Sequence, residues 1–199
     1  MSNAAPKNIF IIGAQCTGKT TLVEALADFY ASRQVEPPPK IVSEVARNVM
    51  RRVDIHRHDI ANTPERCLVL QEAIIQAQYD AESDLEVRRS WYISDRSGLD
   101  PVVYARLLVG EEGKQRLLEL PTYSILEERM KQGLVFVCEA GCSWLVDDGT
   151  RLMPKDQEEW RRIDQAFRQL LQERGIEYVL VPSSVVGMRD RVDIVVKHF

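Results

Sequence analysis

Five short apolar runs punctuate the chain: Ile9–Ile12, Ile41–Ser43, Trp91–Ser94, Leu134–Val137 and Ile176–Val181. Runs this short, bounded by Gly, Pro or charged residues, read as buried strands rather than helices. Between them apolar residues recur at helical spacing: Leu22, Leu26 and Phe29; Val45, Val49 and Val53; Leu68, Ile75 and Tyr79; Trp160, Ile163, Phe167 and Leu170. The first strand is expected over about 8–12 and the first helix over 18–32, with residues 44–90 largely helical. Thr63 caps a helix with Pro64 at its first position, and that helix runs towards Arg89. A further helix starts near Pro101, another spans 112–131 with an interruption at Pro121, and Gly175 closes a helix over 156–174. Glu36-Pro-Pro-Pro-Lys40 cannot be helical. Strands alternating with helices predict an α/β fold, a parallel sheet covered on both faces. The 199 residues suit one domain, 1–199, with residues 1–7 as a disordered start.

In such a sheet ligands bind outside the carboxyl ends of the strands. After the first strand comes Gly13-Ala14-Gln15-Cys16-Thr17-Gly18-Lys19-Thr20-Thr21. It fits G-x-x-x-x-G-K-[ST], the phosphate loop (Walker A) of P-loop NTPases. Glycines let consecutive N–H groups turn inward onto phosphate oxygens, Lys19 supplies a point charge, and the Thr20 hydroxyl suits Mg²⁺. The strand before it and the amphipathic helix after it set the motif apart from a chance Gly-rich turn.

The other strand ends carry Glu44, Asp95-Arg96, Glu139 and Pro182-Ser183. Asp95 stands where a Walker B carboxylate would hold Mg²⁺, unless it merely caps the next helix. Glu44 and Arg47, one turn apart, suit an acceptor hydroxyl and an anion, or else form a surface ion pair. Glu139 serves either the site or the following loop. Segment Gly141–Pro154 lacks periodicity and holds Asp147-Asp148-Gly149-Thr150-Arg151. Arg151 there is a candidate to swing over a transferring phosphoryl group, with Arg161 and Arg162 as rivals. His56-Arg57-His58 has no acidic partners at ligand spacing and reads as surface.

A net charge of −4 argues against a sequence-independent grip on nucleic acid. The four cysteines have no zinc-like spacing and read as free thiols of a cytoplasmic protein. Cys16 lies at a helix start, where a thiol is prone to oxidation, although the position tolerates many residues. No apolar run approaches the ~20 residues of a membrane span.

Gly13–Thr20, then Glu44-Val45-Ala46-Arg47, then Asp95-Arg96-Ser97-Gly98-Leu99-Asp100-Pro101, then Asp147–Arg151 resemble a family of small AAA-like P-loop proteins. They are similar to the ribosylnicotinamide kinase domain of the bacterial NAD-biosynthesis regulator. The resemblance runs nearly the whole chain, and the stretch after Asp95 is its most specific part. It implies a nucleoside/nucleotide-kinase-like fold with strand order 2-3-1-4-5 and a lid-like segment within 141–162. It further implies that Arg96 touches phosphate, that Glu44 sits near the acceptor hydroxyl, and that Pro182–Gly187 flanks adenine. The chain lacks the regulator's DNA-binding and adenylyltransferase parts. Some relatives are linked instead to guanine-nucleotide and phosphoinositide binding.

The expected activity is an ATP- and Mg²⁺-dependent small-molecule kinase acting on a nucleoside-like hydroxyl such as that of nicotinamide riboside. Lys19, Asp95, Arg96, Arg151 and Glu44 are its candidate catalytic residues, and Thr20 and Asp95 hold the metal. Glu44, Arg47 and Arg96 take the acceptor. The alternative is a nucleotide-gated binder of phosphoinositides or a protein, using Arg47, Arg51, Arg52 and Arg57 as a basic face. The chain has no N-K-x-D element for reading guanine, and it lacks room for the helical lid of a remodelling ATPase.

Overall fold

The computed structural model describes residues 6–53, 55, 63–142 and 156–199. In chain order its elements are β1 (Ile9–Ile12), α1 (Lys19–Ser32), β2 (Lys40–Val42), α2 (Ala46–Arg52), α3 (Pro64–Val87) and β3 (Tyr92–Asp95). There follow α4 (Leu99–Leu108), α5 (Glu111–Leu118), α6 (Pro121–Gln132), β4 (Leu134–Cys138), α7 (Gln157–Glu173), β5 (Val179–Val181) and α8 (Met188–Val196). The strands form one sheet in the order β2-β3-β1-β4-β5. Every pairing is parallel.

The central strand explains the apolar runs. All four residues of β1 are fully buried, and successive side chains point to opposite faces. Phe10 and Ile12 join Tyr92, Val135 and Val137 in a core that includes Leu68, Val102, Leu126, Trp160 and Phe167 of the covering helices. Ile9 and Ile11 join Ile93, Phe136 and Cys138 against Leu22 and Leu26 of α1 and Val192 and Val195 of α8. Burying each such side chain contributes about 1.5–3 kcal/mol, so both faces of the strand must be apolar. A third cluster, with Val49 of α2 and Cys67, Leu70 and Ile74 of α3, holds α2 above the sheet.

Some expectations need correction. The second strand is not buried: Lys40 and Ile41 are exposed and only Val42 is covered, because β2 is an edge strand paired with β3 alone. The last strand shrinks to Val179–Val181, with Ile176 buried ahead of it in the loop. The interruption expected at Pro121 is present: α5 ends at Leu118, and Pro121 begins α6, where its missing N–H is harmless. Thr63 and Pro64 start α3 as expected. Asp156 caps α7, its Oδ1 accepting from the Glu159 amide at 2.8 Å. Residues 143–155 of the lid-like segment lie outside the described residues, as do Arg151, His56-Arg57-His58 and most of the expected disordered start. Among the described residues no helix is long and apolar enough to cross a membrane.

Candidate active site

The phosphate loop leaves β1 through Gly13, whose φ is +127°. A Cβ at this position would stand 2.6 Å from the Cys138 carbonyl oxygen, so only glycine lets the loop pass β4. Gly18, also at positive φ, sits at the start of α1. Cys16 holds φ +59° without being glycine, a local strain kept by the surrounding loop. Two distant side chains pull loop carbonyls outward. Trp160 Nε1 donates to the Gln15 carbonyl and Arg191 Nη2 to the Thr17 carbonyl, both at 2.8 Å. Held from behind in this way, the loop keeps its N–H groups for its concave side, the arrangement that takes an anion.

Lys19 is buried, and its ammonium donates to the Ala14 carbonyl and, at 3.4 Å, to Thr17 Oγ1. Burial, reinforced by the nearby Arg96 charge, lowers its pKa to about 8. Two cations kept close together mark the place where anionic charge is wanted.

Thr20 Oγ1 donates to Asp95 Oδ2 at 2.6 Å. Asp95 is not a helix cap, because α4 begins at Leu99 with Gly98 as its N-cap and the Ser97 amide and hydroxyl both donate to Asp100. A hydroxyl and a carboxylate oxygen side by side are hard donors that fit Mg²⁺. Among the described residues no group of three or more His, Cys, Asp or Glu offers a full cage. Mg²⁺ is commonly held by one or two protein oxygens with substrate phosphates and water, so this pair is sufficient.

Arg96 follows Asp95 with φ +86°, and its backbone N–H donates to the Ile11 carbonyl. Its side chain donates through Nε to Glu44 Oε1 at 2.7 Å and through Nη1 to Asp100 Oδ1 at 3.2 Å. Burial alone would lower its pKa; the Glu44 charge, then Tyr104, Asp100 and Asp95, raise it well above the usual arginine value. Glu44 also accepts from Arg47 Nε at 3.2 Å, the i,i+3 ion pair of the second reading. Tyr104 donates to the Gln15 side chain at 2.8 Å, and its pKa is pushed up to about 12 mainly by burial.

Beside the phosphate loop opens a cavity of about 110 Å³. Gln15, Glu44, Arg47, Arg96 and Asp100 form its polar side, and Val45, Met50, Leu70, Ile74, Pro101 and Leu108 its apolar side. Gln15 and Arg96 therefore belong to both the loop region and the cavity.

Glu139 lies elsewhere. It accepts from the Ser183 amide and hydroxyl at 2.9 and 3.0 Å and from Arg168 at 2.9 Å, tying the ends of β4 and β5 together. Burial opposes its ionisation, but these donors outweigh it and hold its pKa below the usual glutamate range. Arg161 and Arg162 are exposed on α7, where Arg162 pairs with Glu159 at 3.4 Å. Arg51 and Arg52 are exposed at the end of α2. Sequence reasoning gave no role to Asp100, Tyr104, Trp160 or Arg191. Asp100 was within reach, since an acid in the first turn after Asp95-Arg96 is placed to pair with that arginine.

A five-stranded parallel sheet in this order, with a phosphate loop after its central strand, is the fold of the P-loop nucleoside and nucleotide kinases. The chain belongs to the AAA domain family, whose model matches residues 8–189. No curated protein matches it in sequence. Among solved structures it is similar to the NadR protein in complex with NR, with a TM-score of 0.71, 23% identity and 96% of this chain covered. The chain spans about half, 51%, of that NadR chain. It is also similar to thymidylate kinase from Ehrlichia chaffeensis, with a TM-score of 0.65, 13% identity and coverage of 98% of this chain and 99% of that one. For deoxyadenosine kinase from M. mycoides with bound dCTP the TM-score is 0.62 and the identity 12%, with 96% and 97% covered.

Proposed function

We propose that the protein transfers the terminal phosphoryl group of ATP to a hydroxyl of a small, nucleoside-like acceptor, in the cytoplasm and with Mg²⁺. The observation that carries this reading is the largely apolar cavity, with a few polar groups, that shares Gln15 and Arg96 with the phosphate-loop region. A nucleotide switch or a simple ATPase has no use for an apolar-walled pocket at that point. Likeness to NadR in complex with NR supports nicotinamide riboside as one acceptor to try.

In this reading the loop amides and Lys19 bind the phosphates, and Thr20 and Asp95 hold Mg²⁺. The metal, when bound, neutralises charge on the phosphate oxygens. Glu44, fixed by Arg96 and Arg47, accepts the proton or hydrogen bond of the attacking hydroxyl. Arg96, locked between Glu44 and Asp100, lies near Lys19 and faces the incoming phosphoryl charge without having to reorganise. Arg151 remains a proposed addition to these charges. A basic face for phosphoinositides gains little from this geometry, since Arg47 is engaged by Glu44.

The test is ADP release from ATP and Mg²⁺ against a panel of nucleosides, nucleoside monophosphates and shikimate-like polyols. Release that depends on one acceptor class supports the kinase; release indifferent to every acceptor overturns it.

A further inference from the structure

Helix α3 sends a row of residues four apart, Leu70, Ile74 and Gln78, into the cavity wall. Gln78 is the polar member of that row and is only 1% exposed. Its Nε2 donates to Glu82 Oε1 at 2.8 Å and to Ser94 Oγ at 3.0 Å. Those two bonds use both protons of the amide nitrogen.

Chemistry fixes which way this amide faces. Glu82 is fully buried, and its other oxygen accepts from the Tyr92 hydroxyl at 2.8 Å while the Arg129 guanidinium stands 3.5 Å away. Burial raises the Glu82 pKa, and the Gln78, Tyr92 and Arg129 donors oppose that shift; against the ionised carboxylate a Gln78 turned the other way would set acceptor to acceptor. The nitrogen therefore faces Glu82 and Ser94, and Oε1 is left for the cavity that Gln78 lines. An acceptor facing a cavity is satisfied by water or by a donor on the ligand that displaces it, and a ligand that brings no donor loses that bond. Gln71, also on the wall, differs: its amide meets only Cys67 Sγ, at 4.0 Å, and is free to turn to suit what binds.

We infer that Gln78 is a specificity-determining residue of the acceptor cavity, selecting an acceptor whose buried end carries an N–H donor such as a carboxamide or exocyclic amine. The inference rests on the acceptor cavity of the kinase reading and adds the chemistry that the cavity selects. An acceptor with a carboxylate, carbonyl or bare ring nitrogen at that end meets the Oε1 lone pairs and is rejected. Gln78 cannot flip to accommodate it without breaking its bonds to Glu82 and Ser94.

The experiment uses ribosides in matched pairs: adenosine and purine riboside, cytidine and uridine, nicotinamide riboside and nicotinic acid riboside. Binding is measured by calorimetry with a non-hydrolysable ATP analogue, and transfer is measured separately with ATP. In at least one pair the wild-type protein should bind the donor-bearing member about tenfold or more tightly than its partner. Gln78→Met, similar in volume but unable to accept strongly, should remove that preference by weakening the donor-bearing member alone. Glu82→Gln, which lets the Gln78 amide turn, should also shrink the preference. Equal binding within every pair, binding of none, or a preference that survives in folded Gln78→Met each overturns the inference. Preference in binding without transfer removes the kinase reading and leaves Gln78 standing; transfer without preference does the reverse.

Discussion

The Thr20 hydroxyl donates to Asp95 across 2.6 Å, joining the residue after the phosphate-loop lysine to the last residue of β3. The pair couples the first turn of α1 to the end of β3 across 75 residues of sequence. In the proposed reading these two oxygens hold Mg²⁺. Asp95→Asn keeps the shape and removes the charge. It should raise the Mg²⁺ concentration for half-maximal activity by about tenfold or more, with little change in melting temperature. A Mg²⁺ titration of activity beside thermal unfolding decides it: an unmoved titration with a lowered melting point makes the pair structural.

Lys19 gives a pH prediction with a definite sign. Its pKa in the folded, ligand-free protein is about 8, below the ordinary 10.5. The unfolded chain therefore holds this proton more tightly, and the lysine contributes stability that is present above 10.5 and lost as pH falls through about 8. Bound phosphate favours the charged form, so nucleotide affinity should fall as pH rises above about 8, with proton uptake on binding. Calorimetry in buffers of different ionisation heat measures that uptake. Lys19→Met should abolish both the uptake and transfer while stabilising the ligand-free protein, by about 1–3 kcal/mol, since a costly buried charge is gone.

Glu44→Gln retains a hydrogen-bonding group beside Arg96 but cannot take a proton. Turnover should drop by about 10²–10⁴, with ATP affinity nearly unchanged. Steady-state kinetics with saturating acceptor checks this. A fall confined to acceptor KM would make Glu44 a binding residue only.

Glu139 is expected to behave as a brace. Glu139→Gln should lower stability by about 1–2 kcal/mol while leaving kcat within about threefold. Because its folded pKa is depressed, its contribution is present above the unfolded value of about 4.3 and disappears as pH falls through the folded one. Denaturant unfolding at pH 7 and pH 3.5 should show the mutant's deficit shrinking in acid.

The parts of the site readable from sequence are those set by local rules. Gly13–Thr20 is a contiguous motif whose shape follows from its own glycines, and Glu44 and Asp95 are exposed by the rule that parallel strands end at ligands. The strand order follows from the resemblance and already puts β2 at an edge, whereas the apolar run Ile41-Val42 by itself reads as buried. Gln78, Trp160 and Arg191 were hidden for a common reason. Gln78 looks like any polar position on a helix, Trp160 like core, and Arg191 like a solvated charge. Each acquires its role from a partner on another element, 16, 145 and 174 residues away.

The last of those separations bears on how the protein is made. The Thr17 carbonyl is held by a guanidinium translated 174 residues after it. Until α8 has left the ribosome and docked beside α1, the loop lacks one of its two outer anchors. A nascent chain arrested before residue 191 should therefore bind ATP poorly even with β1, β3 and β4 assembled. Nucleotide then cannot template the early stages of folding, and it can stabilise only a chain that already extends through Arg191.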